Sequence, residues 1–189
     1  MTDDRQPALT PLTPRAAEIV SAARDLVEES GPEALTMRVL ADRIGIRAPS
    51  LYKHFPDKGA VEAALIEQGL AELGAALRAA VASERPVPEL LRTYRAQALA
   101  NPNLYRLSTA GPLPRERLAP GLEDWAGEPF FLAVGEPHLA QALFAFAHGM
   151  VILEIDRRFP EQSDLDRTWT EGARAFAAGR TPAVEKGAT

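Results

Sequence analysis

Residues 36–58 read Thr-Met-Arg-Val-Leu-Ala-Asp-Arg-Ile-Gly-Ile-Arg-Ala-Pro-Ser-Leu-Tyr-Lys-His-Phe-Pro-Asp-Lys. Thr36 is placed to cap a short helix, and Met37, Leu40, Ala41 and Ile44 recur at helical spacing on one face of it. Gly45 stands where the chain must leave that helix, a point that needs a left-handed residue, which glycine supplies without steric cost. A few residues later a second short helix begins near Ala48, with Pro49 tolerated in its first turn. The pattern carries this helix through Leu51, Tyr52 and Phe55, and Pro56 stops it. Two short helices around a tight glycine turn make a helix-turn-helix.

The second helix has two faces of different character. Leu51 and Phe55 point towards Leu40, Ala41 and Ile44, where the small Ala41 allows close approach. The opposite face presents Arg47, Ser50, Lys53 and His54, with Tyr52 at its edge. All are hydrogen-bond donors suited to phosphate oxygens or base edges. Lys58, in the first turn of the following helix, is within reach of a phosphate. No acid interrupts this set before Asp57, which sets it apart from an ordinary solvated face. A second helix of this kind enters a DNA major groove.

The stretch Ile-Arg-Ala-Pro-Ser-Leu-Tyr-Lys-His-Phe-Pro-Asp-Lys, residues 46–58, resembles the recognition-helix signature of tetracycline-repressor-like (TetR family) bacterial transcription regulators. The resemblance extends over residues 14 to about 70, and the remainder matches only as a helical domain of suitable size. It implies a three-helix DNA-binding unit followed by a helical domain that dimerises and holds a small-molecule effector. By resemblance, Thr36, Tyr52, His54 and Lys58 fall where phosphates are contacted. Arg47, Ala48, Pro49, Ser50 and Lys53 fall where base or backbone contacts vary between members. Many members carry Ser or Thr at position 47 to cap the recognition helix. Arg47 replaces that cap with a cation.

Charge supports a local footprint rather than a basic protein. The 189 residues hold 21 basic and 26 acidic side chains, a net charge of −5. Between Arg38 and Lys58, however, the cations Arg38, Arg43, Arg47, Lys53 and Lys58 face only Asp42 and Asp57. Such a distribution suits a specific dimer better than indiscriminate nucleic-acid binding. There is no cysteine, which excludes disulfides, thiol catalysis and cysteine-ligated zinc. The three histidines, His54, His138 and His148, are not spaced to share a helical metal site. No glycine-rich phosphate loop is present. No metal or cofactor is expected, and the chain is read as a regulator rather than an enzyme.

The rest of the chain reads as helix throughout, an all-α fold. Thr13-Pro14 opens a first helix with Ile19, Ala23, Leu26 and Val27 inward, and Ser30-Gly31-Pro32 closes it. Asp57 caps a long fourth helix, and a fifth starts at Pro88 with Leu91, Tyr94 and Ala98 inward. Asn101-Pro102 opens a short one, and the glycines and prolines of 109–121 make a loop. A seventh helix near 122–134 is open to splitting at Gly127 and Pro129. From Pro137 a helix follows whose residues 139–155 are apolar nearly all round, short of the roughly 20 apolar residues a bilayer span needs. A soluble helix of that kind is buried on every side, so a second subunit is expected to cover one of them. The expected domains are a flexible tail (1–13), a DNA-binding unit (14–59), a helical effector-binding and dimerisation domain (60–178) and a flexible tail (179–189).

The expected dimer interface comprises Phe144, Met150, Val151, Leu165, Trp169, Ala173 and Phe176. The expected effector site draws on Leu73, Leu77, Tyr94, Tyr105, Trp125, Phe130 and His148. The favoured reading is a cytoplasmic, homodimeric transcription regulator, a repressor released from a palindromic operator by a small molecule, with no membrane partner. The N-terminus has no signal-sequence pattern. The alternative is an all-helical enzyme or ligand carrier with an incidental helix-turn-helix.

Overall fold

The computed structural model describes residues 5–180, and those residues form helices, turns and connecting segments without a strand. Nine α-helices follow in order among them: α1 Pro14–Ser30, α2 Met37–Arg43, α3 Ala48–Leu51, α4 Lys58–Val81, α5 Pro86–Ala100, α6 Pro102–Thr109, α7 Leu122–Val134, α8 Pro137–Ile155 and α9 Leu165–Ala178. The outer parts of both expected tails, 1–4 and 181–189, lie outside the described residues. The all-α expectation holds, and the chain divides into two compact units.

The first unit comprises residues 5–72 and 101–125 of the described chain. Its core gathers Ile19, Val20, Ala23 and Val27 of α1, Leu40 and Ala41 of α2, Leu51 of α3 and Val61 and Leu65 of α4. Leu104 of α6 joins the same cluster. This is why residues 101–125 group with the N-terminal helices and not with the chain that flanks them, a division different from the expected boundary at 59/60. Asn103 and Leu104 fasten α6 to α1: the Asn103 amide donates to the Glu28 carbonyl at 2.9 Å, and Leu104 N donates to the Glu28 carboxylate at 2.6 Å.

Local signals set the helix ends. Thr13 Oγ1 accepts from Ala16 N at 3.2 Å and Thr36 Oγ1 from Val39 N at 3.1 Å. Each satisfies an amide that the first helical turn otherwise leaves without a partner. Gly45 has φ +67°, and Ile46 N returns to the Ala41 carbonyl at 3.0 Å, closing the turn between α2 and α3.

The second unit comprises residues 73–100 and 126–180 of the described chain. Within it α5 packs against α8 and α9. Arg95 of α5 is the polar centre: it donates to Glu154 of α8 through Nη2 at 2.6 Å and to Asp166 of α9 through Nη1 at 2.5 Å. Trp169 Nε1 also donates to Glu154, at 3.1 Å. The half-buried carboxylate is therefore paired and hydrogen-bonded, as burial of charge requires.

Several expectations need correcting. The helix expected to run to Phe55 is α-helical only over Ala48–Leu51, because Tyr52, Lys53 and His54 form a turn, with His54 N on the Leu51 carbonyl at 2.9 Å. The fifth helix begins at Pro86 rather than Pro88, since a proline is accommodated at both positions of the first turn. Neither Gly127 nor Pro129 splits α7. Helix α8, with mean hydropathy 1.4, is long and apolar enough by length and composition to cross a membrane, contrary to the expectation that its run falls short. Yet Leu143, Ala147 and Val151 are fully buried within the chain, so one side of α8 serves as core.

Candidate nucleic-acid interface

A four-residue helix has no stability of its own, because nucleation costs more than one turn returns. Helix α3 exists because Leu51 is 0% exposed in the first unit's core and Phe55, just beyond, is also buried. Those two anchors fix which way the rest of the segment faces. Arg47, Pro49, Tyr52, Lys53 and His54 are exposed, and Ala48 and Ser50 are half-buried. Tyr52, 50% exposed, turns an aromatic ring with a hydroxyl to solvent. Thr36 and Arg38 are exposed on α2. Arg47 makes no side-chain cap bond, in agreement with the loss of a capping hydroxyl at that position.

The pairing of cations separates this surface from the rest of the unit. Arg15 pairs with Glu18, Arg24 with Glu72 and Arg43 with Glu29, each at 2.6 Å. Arg43 holds the Glu29 carboxyl below its ordinary value. By contrast, the side chains of Arg38, Arg47 and Lys53 have no hydrogen-bond or ion-pair partner among the described residues. Lys58 is intermediate, 3.1 Å from Glu62 one turn along α4. The free cations of this unit therefore collect on α2 and the α3 segment.

Behind this surface, Asp57 Oδ1 accepts from Ala60 N at 2.8 Å and caps α4. Arg117 reaches the same carboxylate with Nη1 at 2.7 Å and Nη2 at 3.2 Å. The Arg117 guanidinium, and then the Ala60 amide, hold the Asp57 carboxyl below its ordinary value. Sequence reasoning identified the cap and missed Arg117, since 60 residues separate the pair and no local pattern marks it.

The expected effector residues are scattered. Tyr94 and Phe130 meet edge to face at 5.7 Å, and Phe144, assigned to the dimer interface, joins both; His148 stacks on Phe144 at 6.1 Å. Leu77 is buried and Leu73 half-buried, in the same unit. Tyr105 and Trp125 belong to the first unit. A groove of about 640 Å³ in the second unit is lined by other residues, among them Val87, Leu91, Trp169, Ala173 and Arg180.

Of the expected interface, Met150, Val151, Trp169 and Ala173 are buried within the chain itself. Phe146, 5.7 Å from Trp169 and 5.5 Å from Phe176, turns the α9 stripe towards α8. Leu165 and Phe176 are half-buried, and Phe144 is exposed. The single chain thus already covers most of the stripe expected to meet a partner. What it leaves open on α8 is a different row: Ala142 and Ala145 exposed, Gly149 and Ile152 half-exposed, and Leu153 exposed.

Fold and surface together define a helix-turn-helix protein with a helical second unit. Residues 19–65 match the family of bacterial regulatory proteins, tetR family. The class A tetracycline repressor protein from transposon 1721 of Escherichia coli is 45% identical over 64 residues, which are 34% of this chain and 29% of that repressor. The likeness in sequence therefore spans under a third of that relative. Likeness in fold extends further. A Rhodococcus sp. RHA1 protein superposes with TM-score 0.70 at 24% identity, covering 87% of this chain and 94% of that one. A variant of TetR from Acinetobacter baumannii AYE, solved in complex with minocycline, gives TM-score 0.62 at 23% identity, covering 89% and 96%.

Proposed function

We propose that the chain is a DNA-binding transcription regulator that acts as a homodimer, a repressor released from a palindromic operator when a small molecule binds its second unit. The observation that carries this reading is the set of partnerless cations, Arg38, Arg47 and Lys53, on a helix-turn-helix whose other arginines are paired. Free cations meet phosphates without first breaking an ion pair, and each phosphate neutralised releases counterions. Arg47, Ala48, Pro49 and Ser50 stand at the start of α3, the end of a recognition helix that meets base edges. Thr36, Tyr52, His54 and Lys58 serve the backbone. The minocycline bound by the Acinetobacter relative supports a small-molecule effector, and the aromatic group of Tyr94, Phe130, Phe144 and His148 is the best-assembled place for it. A regulator of this kind works in the cytoplasm, beside the chromosome.

The test selects duplexes from a random-sequence pool on the full chain. The recovered duplex is then titrated at several salt concentrations. Recovery of a palindromic site, with affinity falling steeply as salt rises, is expected. Failure to enrich any duplex would reject the reading.

A further inference from the structure

Segment 113–119, between α6 and α7, is fastened to the N-terminal half of α4 at three successive levels. Arg117 donates two hydrogen bonds to Asp57 at the head of α4. Leu118 packs with Ala63 and Ile66 one and two turns along, and Leu113 adds to that cluster. Ala119 N donates to Glu67 Oε1 at 2.7 Å. Glu67, 4% exposed, also accepts from Thr10 N at 3.1 Å and Thr10 Oγ1 at 2.9 Å, so three donors surround its buried carboxyl, as burial of a polar group requires. At the first level the fit is close. A Cβ on Gly59 would stand 3.0 Å from Arg117 Nη1 and 3.2 Å from Asp57 Oδ1, so the guanidinium lies against the bare backbone of α4's first turn.

We propose that this strap sets the first turn of α4, and that Arg117 is a positioning residue for DNA binding that acts through Asp57 on the neighbouring Lys58. The inference rests on the DNA-binding reading above. Two physical effects support it. The Asp57 carboxylate stands one residue from Lys58, the phosphate contact of the proposed function, and without a counter-charge it would repel that phosphate. The forked guanidinium cancels the charge and, through its bidentate geometry, holds the carboxylate in the rotamer that caps Ala60. Any movement of the strap is thereby transmitted to Lys58 without passing through the α2–α3 turn.

The experiment compares wild type, Arg117→Gln, Arg117→Lys, Asp57→Asn and the Arg117→Gln/Asp57→Asn double variant as full chains. Each is titrated on the duplex selected by wild type, and amide exchange at Ala60 is followed without DNA. Arg117→Gln is expected to weaken binding about two- to fivefold, the scale of one exposed ion pair, and to speed exchange at Ala60. Arg117→Lys should recover most of the affinity. In the Asp57→Asn background the effect of Arg117→Gln should vanish, because no carboxylate remains to be neutralised. An Arg117→Gln effect that persists in that background, with a salt slope about one unit lower, would make Arg117 a direct phosphate contact and overturn the proposal. So would unchanged affinity, or unchanged Ala60 exchange, in Arg117→Gln. If wild type selects no duplex, the DNA-binding reading fails separately, and Ala60 exchange alone still tests the strap.

Discussion

In the proposed function, Lys58 and Arg47 differ in what each must give up to meet DNA. Lys58 leaves Glu62, 3.1 Å away, whereas Arg47 has no partner among the described residues to leave. Phosphate contacts carry no base information, so Lys58→Ala should weaken cognate and scrambled duplexes alike and lower the salt slope by about one unit. Glu62→Gln should tighten both, since it removes the competing acid. Arg47→Ala should cost about 1–3 kcal/mol on the cognate duplex and little on the scrambled one. Titrations of the three variants on both duplexes separate these roles, and equal losses for Arg47→Ala would make it a backbone contact. The pH dependence has a residue-scale origin as well. The folded Asp57 carboxyl lies below its ordinary value, so its contribution is complete above the unfolded pKa of about 4 and is lost as pH falls through the folded one. Asp57→Asn should therefore flatten the loss of thermal stability below about pH 4, measured against wild type. Thr36, Gly45 and Leu51 were legible in the sequence because capping, φ > 0 and inward spacing are local properties. Arg117 and Glu67 were not, since the partners that give them meaning lie 60 and 52 or more residues away.

Helices show where local preference ends and packing begins. Leu51 and Phe55 are four apart as a helix would place them, and the sequence reads as helix to Phe55; the chain instead turns at Tyr52, and both residues still reach the core. Spacing identified the inward residues but not the backbone between them. Glycines inside helices make the same distinction testable. Gly127, within α7, has nothing within 4 Å of a Cβ built on it. Gly127→Ala should raise stability by about 0.5–1 kcal/mol, because the unfolded chain loses freedom and no contact is strained. Gly172, within α9, is opposite: a Cβ there would lie 2.2 Å from Phe146 Cζ. That ring is held by Trp169 and Phe176, so Gly172→Ala should cost about 1–3 kcal/mol. Thermal melts of the two variants, expected to move in opposite directions, check the pair. Equal shifts would mean that Phe146 moves aside freely.

Helix α8 joins the fold to the proposed assembly. It reads as apolar all round, and the chain buries only part of it, through Ala140, Leu143, Ala147, Met150 and Val151. Ala142, Ala145, Gly149 and Leu153, spaced three, four and four, lie along one open side. An exposed row of small and apolar residues on so apolar a helix fits a second copy of the chain packed closely along it. The expected interface at Trp169 and Ala173 gives a contrast, since both are buried within one chain. Ala173→Glu would place an unpaired ion in that core at several kcal/mol, and the expected outcome is unfolding or aggregation. Ala145→Glu faces solvent in the single chain, where substitutions change stability by about 0.5 kcal/mol or less. It should therefore melt cooperatively with an unaltered helical spectrum and sediment as a monomer. Half-sites of a two-fold operator lie about 34–36 Å apart, and gripping both requires two linked recognition helices. Ala145→Glu should thus lose most affinity for the palindromic duplex while retaining the weak, salt-sensitive binding of one head. A folded Ala145→Glu dimer with full affinity would move the interface to other exposed apolar residues of this unit, such as Phe131 and Leu132 of α7.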